Sequence, residues 1–314
     1  MSLDDAQTPL SRRQLLAWTA AAGAGLLLAP RAGVPAAEQP RTRAIPHGGE
    51  RLPVVGLGTA IVFDVGSSAQ ERAAPTEVVR ALVANGGAVI DTAPSYGEAE
   101  NVIGAILSAT RLRQRVFLST KLEHDSFDNQ AAGLQDSLRR LRTDKVDVLQ
   151  LHNVNDPDQD LGPLRALKAR GLCRYTGITT TFSGAYDTAD SILKRQKPDV
   201  IEIAYAIDNR DAEQRVLPAA AAAGAAVFVA LPFGRGRLFR TALGKPLPDW
   251  AGEFDCHSWG QFFLKWVLGN PAVTVVIPGT DKATHMIDNL GAAMGRLPDA
   301  AMRARMVQYV QSLG

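Results

Sequence analysis

The sequence predicts an α/β protein built as a (β/α)8 barrel, with a short β-hairpin in front of it. Three observations predict this. Eight short apolar, β-branched runs recur along the chain, and helical stripes fall between them. The first run also lacks the Gly-rich fingerprint that a doubly wound open sheet carries after its first strand. Runs that are apolar throughout, rather than alternating, are the mark of parallel strands buried on both faces. Strands alternating with helices give a parallel sheet, and eight such units can close on themselves.

The runs are Pro53–Thr59, Ala88–Pro94, Val116–Leu122, Val146–His152, Tyr175–Thr180, Val200–Ala206, Ala226–Phe233 and Val273–Gly279. The first ends in Gly56-Leu57-Gly58-Thr59 and no clear helix follows it. Thr76 is placed to cap a helix over Glu77–Ala84. Leu134, Leu138 and Leu141, then Leu161, Leu164 and Leu167, then Phe262, Phe263, Trp266 and Val267, form apolar stripes that suit packing against a sheet. Asn85-Gly86-Gly87, Gly171 and Gly269-Asn270-Pro271 are stop signals. Arg43–Pro46 and Arg51–Pro53 flank His47-Gly48-Gly49-Glu50, which reads as a hairpin plugging the lower end of the barrel.

Composition is that of an ordinary globular protein. The chain has 314 residues, 46% of them hydrophobic and 21% charged, with 34 Lys+Arg against 32 Asp+Glu. This excludes a disordered chain, and the absence of a basic run argues against nucleic acid as a partner. Cys173 and Cys256 make neither a disulfide framework nor a Cys-rich metal site, and the five histidines lack ligand spacing, so no metal is expected.

Residues 1–36 read as an export signal. Arg12-Arg13 precede an apolar run from Ala17 to Ala29, shorter than the roughly 18–20 residues that span a bilayer. Val34-Pro35-Ala36 then suits cleavage after Ala36. The paired arginines resemble the twin-arginine signal, which implies the twin-arginine machinery as a partner, a periplasmic or secreted location and no membrane span after cleavage. Residues 37–314 are then the one remaining domain, since no Pro-, Gly- or Ser-rich linker divides them.

In such a barrel, reactive residues sit at the C-terminal ends of the strands. Those ends offer Asp91, Tyr96 five residues further on, Lys121 and His152. A free phenol holds its proton to a pKa of about 10. A lysine ammonium beside it favours the phenolate, and Asp91 would keep that lysine charged. His152 could hydrogen-bond and orient a substrate oxygen. The quartet is a general acid aimed at an oxygen gaining negative charge, which suits carbonyl reduction by hydride. No side chain donates hydride, so a nicotinamide cofactor must.

Asp91-Thr-Ala-Pro-Ser-Tyr96-Gly-Glu98, followed by Asn101 and Val102-Ile103-Gly104, resembles the signature of the aldo-keto reductases. The resemblance runs through Val55–Thr59, Leu118–Lys121, Val146–His152, Gly177–Thr180, Pro232–Leu238 and Val276–Thr280 to Asp288-Asn289-Leu290. It implies a (β/α)8 barrel binding NADP(H) in an extended pose, with NAD(H) as the alternative cofactor. It maps the family's catalytic quartet onto Asp91, Tyr96, Lys121 and His152. By the same resemblance, Gly58 and Thr59 lie along the cofactor. Thr179-Thr180 stand where the family offers Ser-Asn to the carboxamide, and Glu202 stands where it has Gln. A second option for Glu202 is an ion pair with Lys121. Phe233 is a candidate to replace the tyrosine on which the ring stacks, and Arg235 and Arg237 are candidates for the pyrophosphate. Gly279, Thr280, Lys282, His285 and Asn289 fall at the adenosine end.

The implied function is NADP(H)-dependent reduction of an aldehyde or ketone with Tyr96 as acid. The alternative is a non-catalytic protein that binds the dinucleotide on the same fold. Phe63, Trp250, Phe254 and Trp259, in the loops after strands one and seven, are expected as walls of the substrate pocket.

Overall fold

The computed structural model describes residues 39–123 and 126–314. The expected export signal therefore lies outside the described residues. The chain enters through an antiparallel hairpin, β1 (Thr42–Ala44) and β2 (Arg51–Pro53), in which Arg43 faces Leu52. Gly48 and Gly49 take positive φ in its turn, as expected where the chain reverses.

Eight parallel strands follow: β3 (Leu57–Gly58), β4 (Val89–Asp91), β5 (Phe117–Leu122), β6 (Val146–Leu151), β7 (Cys173–Thr180), β8 (Val200–Ala204), β9 (Ala226–Ala230) and β10 (Val275–Val276). Each pairs with the next in sequence. Parallel bridges from Val55 to Val276 and from Gly58 to Gly279 close the ring, with Val276 N–H donating to Val54 O at 2.9 Å and Gly56 N–H to Val276 O at 2.8 Å. This is the (β/α)8 barrel that the apolar runs predict. Closure leaves no unpaired strand edge, which an open sheet would have to protect.

Between the strands run α1 (Ala73–Ala84), α2 (Ala99–Thr110), α3 (Phe127–Leu141), α4 (Gly162–Ala169), α5 (Tyr186–Gln196), α6 (Val216–Ala223), α7 (Arg237–Thr241), α8 (Trp259–Leu268) and α9 (Ala283–Gly291); α10 (Ala300–Gln311) ends the chain. Thr76 is not the cap expected for α1. The helix starts a turn earlier, and the Thr76 hydroxyl donates to the carbonyl of Arg72 at 2.7 Å. A threonine inside a helix satisfies itself in this way. Among the described residues, no helix is long and apolar enough to cross a membrane.

Apolar burial divides into two layers. Inside the barrel, Val89, Phe117, Val148, Tyr175, Val200, Phe228 and Val275 form a closed plug with Ile45 and Leu52 of the hairpin. The hairpin thus seals the N-terminal end, as its position in the sequence implies. The stripes of Leu134/138/141 and Leu164/167 pack between barrel and helices in the larger outer layer. The consequence for function is that the polar cluster of Asp91, Lys121, Gln150 and Glu202 lies beyond this plug, toward the C-terminal ends of the strands.

One contact outside the barrel is unusually close. Glu100 of α2 is fully buried; it accepts from Thr120 Oγ1 at 2.6 Å and from Arg140 Nε at 2.7 Å, tying α2 to β5 and α3. A Cβ at Gly104 would stand 2.1 Å from the carbonyl oxygen of Arg140 and 2.8 Å from the backbone of Leu141. Only glycine allows the two helices this approach. Gly104→Ala should therefore cost about 2 kcal/mol or more, the range for overpacking a close contact, read as a lower midpoint in urea unfolding.

Candidate active site

The polar interior begins where the apolar plug ends. Lys121, from β5, is fully buried, and its ammonium donates to Asp91 Oδ2 at 2.5 Å and to the carbonyl of Thr92 at 3.1 Å. Glu202 Oε2, from β8, lies 3.3 Å from the same ammonium. Gln150, from β6, spans the group: its amide donates to Glu202 at 2.9 Å and to Ser119 at 3.0 Å. Asp91, Lys121 and Glu202 point inward because the pleat alternates and the ring is closed, so residues from β4, β5 and β8 meet across it.

Tyr96 sits in the loop after β4, partly buried over this group. The Lys121 ammonium lies 5.0 Å from its ring centroid. The His152 ring meets it edge-on, with centroids 6.1 Å apart and planes at 78°. His152 Nδ1 is 2.8 Å from Glu123 Oε1. The four residues expected at strand ends, Asp91, Tyr96, Lys121 and His152, thus stand together.

Their electrostatics differ from the sequence expectation in one respect. Burial alone would lower the proton affinity of Lys121, but Asp91, Glu202 and Tyr96 outweigh it and hold the ammonium above its ordinary range. Tyr96 was expected below the usual phenol range because of that ammonium. It lies above it: burial raises it, and although Lys121 pulls it down, Asp91 and Glu202 push it further up. The correction comes first from burial of the phenol, with the two carboxylates adding to it against the single ammonium. Burial first, and then the charge of Glu202, raise Asp91 from 3.8 to about 7 against the pull of Lys121.

Asp91 therefore binds its proton more tightly in the folded chain than in the unfolded one. Between about pH 4 and pH 7 the native state holds more of that proton, so this group's contribution to stability falls as pH rises. Urea midpoints of the wild type, measured relative to Asp91→Asn, should decline across that window. A flat difference would remove the assignment.

A cleft of about 500 Å³ opens beside Tyr96 and His152 at the C-terminal ends of the strands. Of the residues expected along a cofactor, Gly58, Thr59, Thr179, Glu202, Phe233, Arg235 and Gly279 line it. Thr180, Arg237, Thr280, Lys282, His285 and Asn289 do not. Arg237 donates to Asp208 at 2.7 Å, Thr180 and Thr280 turn their hydroxyls back to their own loops, and Asn289 is buried in α9. Thr179 Oγ1 accepts the backbone N–H of Asn153 at 2.8 Å, so that acceptor capacity is partly used. Glu202 takes the ion-pair option left open in the sequence.

The expected aromatic walls are elsewhere. Phe63 is fully buried in the outer core, and Trp250, Phe254 and Trp259 stack with Phe262, Phe263 and Tyr309. The cleft walls are instead Ile61, Val62, Phe182, Leu231 and Phe233. Ile61 and Phe182 are 74% and 65% exposed, unusual for large apolar side chains. Ile61, Asn153, Leu231 and Arg235 all line the cleft with positive φ. Among the described residues the other non-glycine cases, Arg111, Arg142, Lys197 and Asp255, end helical segments, where such a conformation is routine. A β-branched residue such as Ile61 in this region is strained, and strain of this kind gathers at working sites. Ile61 opens the loop after strand one that was expected to border the substrate, but nothing local marks Ile61, Asn153 or Phe182 themselves as walls, which depends on loop conformation.

The donor set suits an anionic dinucleotide. Arg235 is exposed on the cleft and has no hydrogen-bond or ion-pair partner among the described residues. It sits between Gly234 and Gly236, both at positive φ, in a turn that lets phosphate approach the backbone. The apolar walls offer a face for a planar ring, and polar groups converge at the floor.

The sequence model of the Aldo/keto reductase family matches residues 54–305. The chain is similar to aldo-keto reductase str7 of Strobilurus tenacellus, 26% identical over 291 residues that cover 80% of this chain and 84% of the relative. It is similar to methylglyoxal reductase YeaE of Escherichia coli, 28% identical over 263 residues covering 80% and 89%. Among solved structures, an aldo/keto reductase from Klebsiella pneumoniae in complex with NADP and acetate matches with a TM-score of 0.70 at 24% identity, covering 83% of this chain and 93% of that one. A thermostable aldo-keto reductase in complex with the inhibitor epalrestat matches with a TM-score of 0.70 at 25% identity, covering 87% and 100%.

Proposed function

Because the chain belongs to the aldo/keto reductase family, we propose that it is an NADP(H)-dependent oxidoreductase that reduces an aldehyde or ketone, with Tyr96 as the general acid. The observation that carries this is the meeting of Tyr96, Lys121, Asp91 and His152 beside one cleft. The solved relatives that contain NADP or NADPH support the choice of cofactor.

When bound, the dinucleotide supplies the hydride. Arg235 would pair with its phosphates, and Phe233 with Leu231 would flank its ring. The Tyr96 hydroxyl then donates its proton to the carbonyl oxygen as that oxygen gains charge. Lys121 holds positive charge beside the phenol throughout, and Asp91 holds Lys121 in place. His152, fixed by Glu123, orients the carbonyl. The apolar walls favour apolar carbonyl compounds. Export by the twin-arginine route, read from residues 1–36, would carry the barrel out already folded.

Purified protein should consume NADPH in the presence of an aromatic aldehyde and form the alcohol. Tight NADPH binding with no turnover over a broad panel of aldehydes and ketones would instead support a binding protein. Removing the unpaired cation should weaken the dinucleotide alone: Arg235→Ala should raise the NADPH dissociation constant about tenfold or more, the worth of a charge-assisted hydrogen bond. Arg237→Ala, which removes the partner of Asp208, should change it much less. Fluorescence titration of NADPH reads the difference.

A further inference from the structure

The sequence leaves open whether the Lys121 ion pair ends at Asp91 or includes Glu202. Glu202 extends it. Its Oε2 is 3.3 Å from the Lys121 ammonium and accepts from Gln150 at 2.9 Å, and its side chain is nearly all buried. It also lines the cleft in which Tyr96 and His152 stand. An ammonium with one carboxylate is neutral as a pair. A second carboxylate adds negative charge next to the phenol, in a place where burial reduces screening.

We propose that Glu202 is a positioning residue for the Lys121–Tyr96 pair, whose negative charge holds the proton on the phenol and so extends carbonyl reduction to higher pH. The proposal rests on the reductase reading of the site. In reduction the carbonyl carbon gains the hydride from NADPH, its oxygen takes the phenol proton, and the phenolate regains a proton from solvent. In oxidation the phenolate must first exist, to take the hydroxyl proton while hydride leaves the carbon for NADP. Negative charge beside the phenol keeps the acid form to higher pH and moves the pH at which the phenolate form appears upward by the same amount.

The groups that face the phenol come from four strands. They are Asp91 at the end of β4, Lys121 on β5, His152 after β6 with Glu123 on its Nδ1, and Glu202 on β8; Arg235 also lines the cleft. Burial and the two carboxylates already hold Tyr96 above the phenol range. Glu202→Gln removes the charge of Glu202 with little change of shape.

The test is the pH dependence of kcat/KM for NADPH-dependent aldehyde reduction in Glu202→Gln and Glu202→Asp. The Gln variant should move the basic limb down by about one pH unit or more, the scale of one nearby buried charge, and move the acidic limb of alcohol oxidation down with it. The Asp variant, which keeps the charge, should leave the limb where it is. An unmoved limb in the Gln variant, or equal movement in the two variants, overturns the proposal. Carbon-13 NMR of labelled tyrosine in the dinucleotide-free protein, with Tyr96 assigned by its loss in Tyr96→Phe, reads the phenol without turnover. A downward shift of its titration in Glu202→Gln supports the assignment even where no carbonyl compound is reduced, in which case the reductase reading fails and not the electrostatic one. No shift by NMR overturns the proposal whatever the activity.

Discussion

Tyr96→Phe is expected to lower kcat for aldehyde reduction by about 10²- to 10⁴-fold, the usual contribution of a positioned general acid. The substitution removes one oxygen and leaves the ring, which packs against His152 and under the cleft. NADPH should therefore bind with a dissociation constant within a few-fold of wild type, and the thermal midpoint should hardly move. The two readouts together separate loss of the acid from loss of the site. A variant with wild-type kcat would remove Tyr96 from the reaction, and one with weak NADPH binding would show that the hydroxyl serves to hold the dinucleotide and not only to transfer a proton.

Lys121→Met is expected to damage both stability and activity. Lys121 is fully buried between Asp91 and Glu202. Deleting it leaves two carboxylates without their cation, and breaking a buried pair in this way costs about 3–5 kcal/mol. The sign of the pH dependence follows from Asp91. The ammonium pulls Asp91 down from where burial and Glu202 would put it, and even so it stands at about 7. Without Lys121 it rises further, so the variant's deficit should shrink as pH falls toward about 5 and grow as pH rises. Urea unfolding of Lys121→Met across that range checks this. Adding Asp91→Asn and Glu202→Gln to Lys121→Met should restore much of the stability while activity stays low. Restored activity in the triple variant would contradict the role given to the ammonium.

Much of the architecture could be read from the chain because parallel strands buried on two faces are written as unbroken apolar runs. Val146–His152 and Val200–Ala206 announce themselves in this way, and the runs overlap β6 and β8. The hairpin was legible from paired glycines between short extended segments. Asp91, Lys121 and His152 could be found because each interrupts or ends an apolar run, which in a barrel means the C-terminal rim. Tyr96 needed the local signature as well.

Other features have no local signal. Ile61, Phe182 and Leu231 become cleft walls through loop conformation, and two of them through positive φ that no sequence rule assigns to Ile or Leu. Trp250 and Trp259 look like pocket aromatics in the sequence, yet the stack with Tyr309 of α10 claims them, a contact between distant segments. The direction of the Tyr96 shift depends on the sum of burial and three charges from three strands. Glu202 reads equally well as a carboxamide ligand until the distance to Lys121 is known. Arg235 and Arg237 are alike in sequence and separate only when Asp208 is seen to hold the second.

The central claim is that this cleft brings a hydride and the Tyr96 proton to one carbonyl group. Its most direct measurement is a single-turnover reaction with an aromatic aldehyde and NADPH carrying deuterium at both C4 positions, with the alcohol analysed by mass spectrometry. The account predicts one deuterium on the carbinol carbon of each alcohol formed by the wild type and almost no alcohol from Tyr96→Phe over the same time. Alcohol without deuterium, or no alcohol from a protein saturated with NADPH, would contradict it.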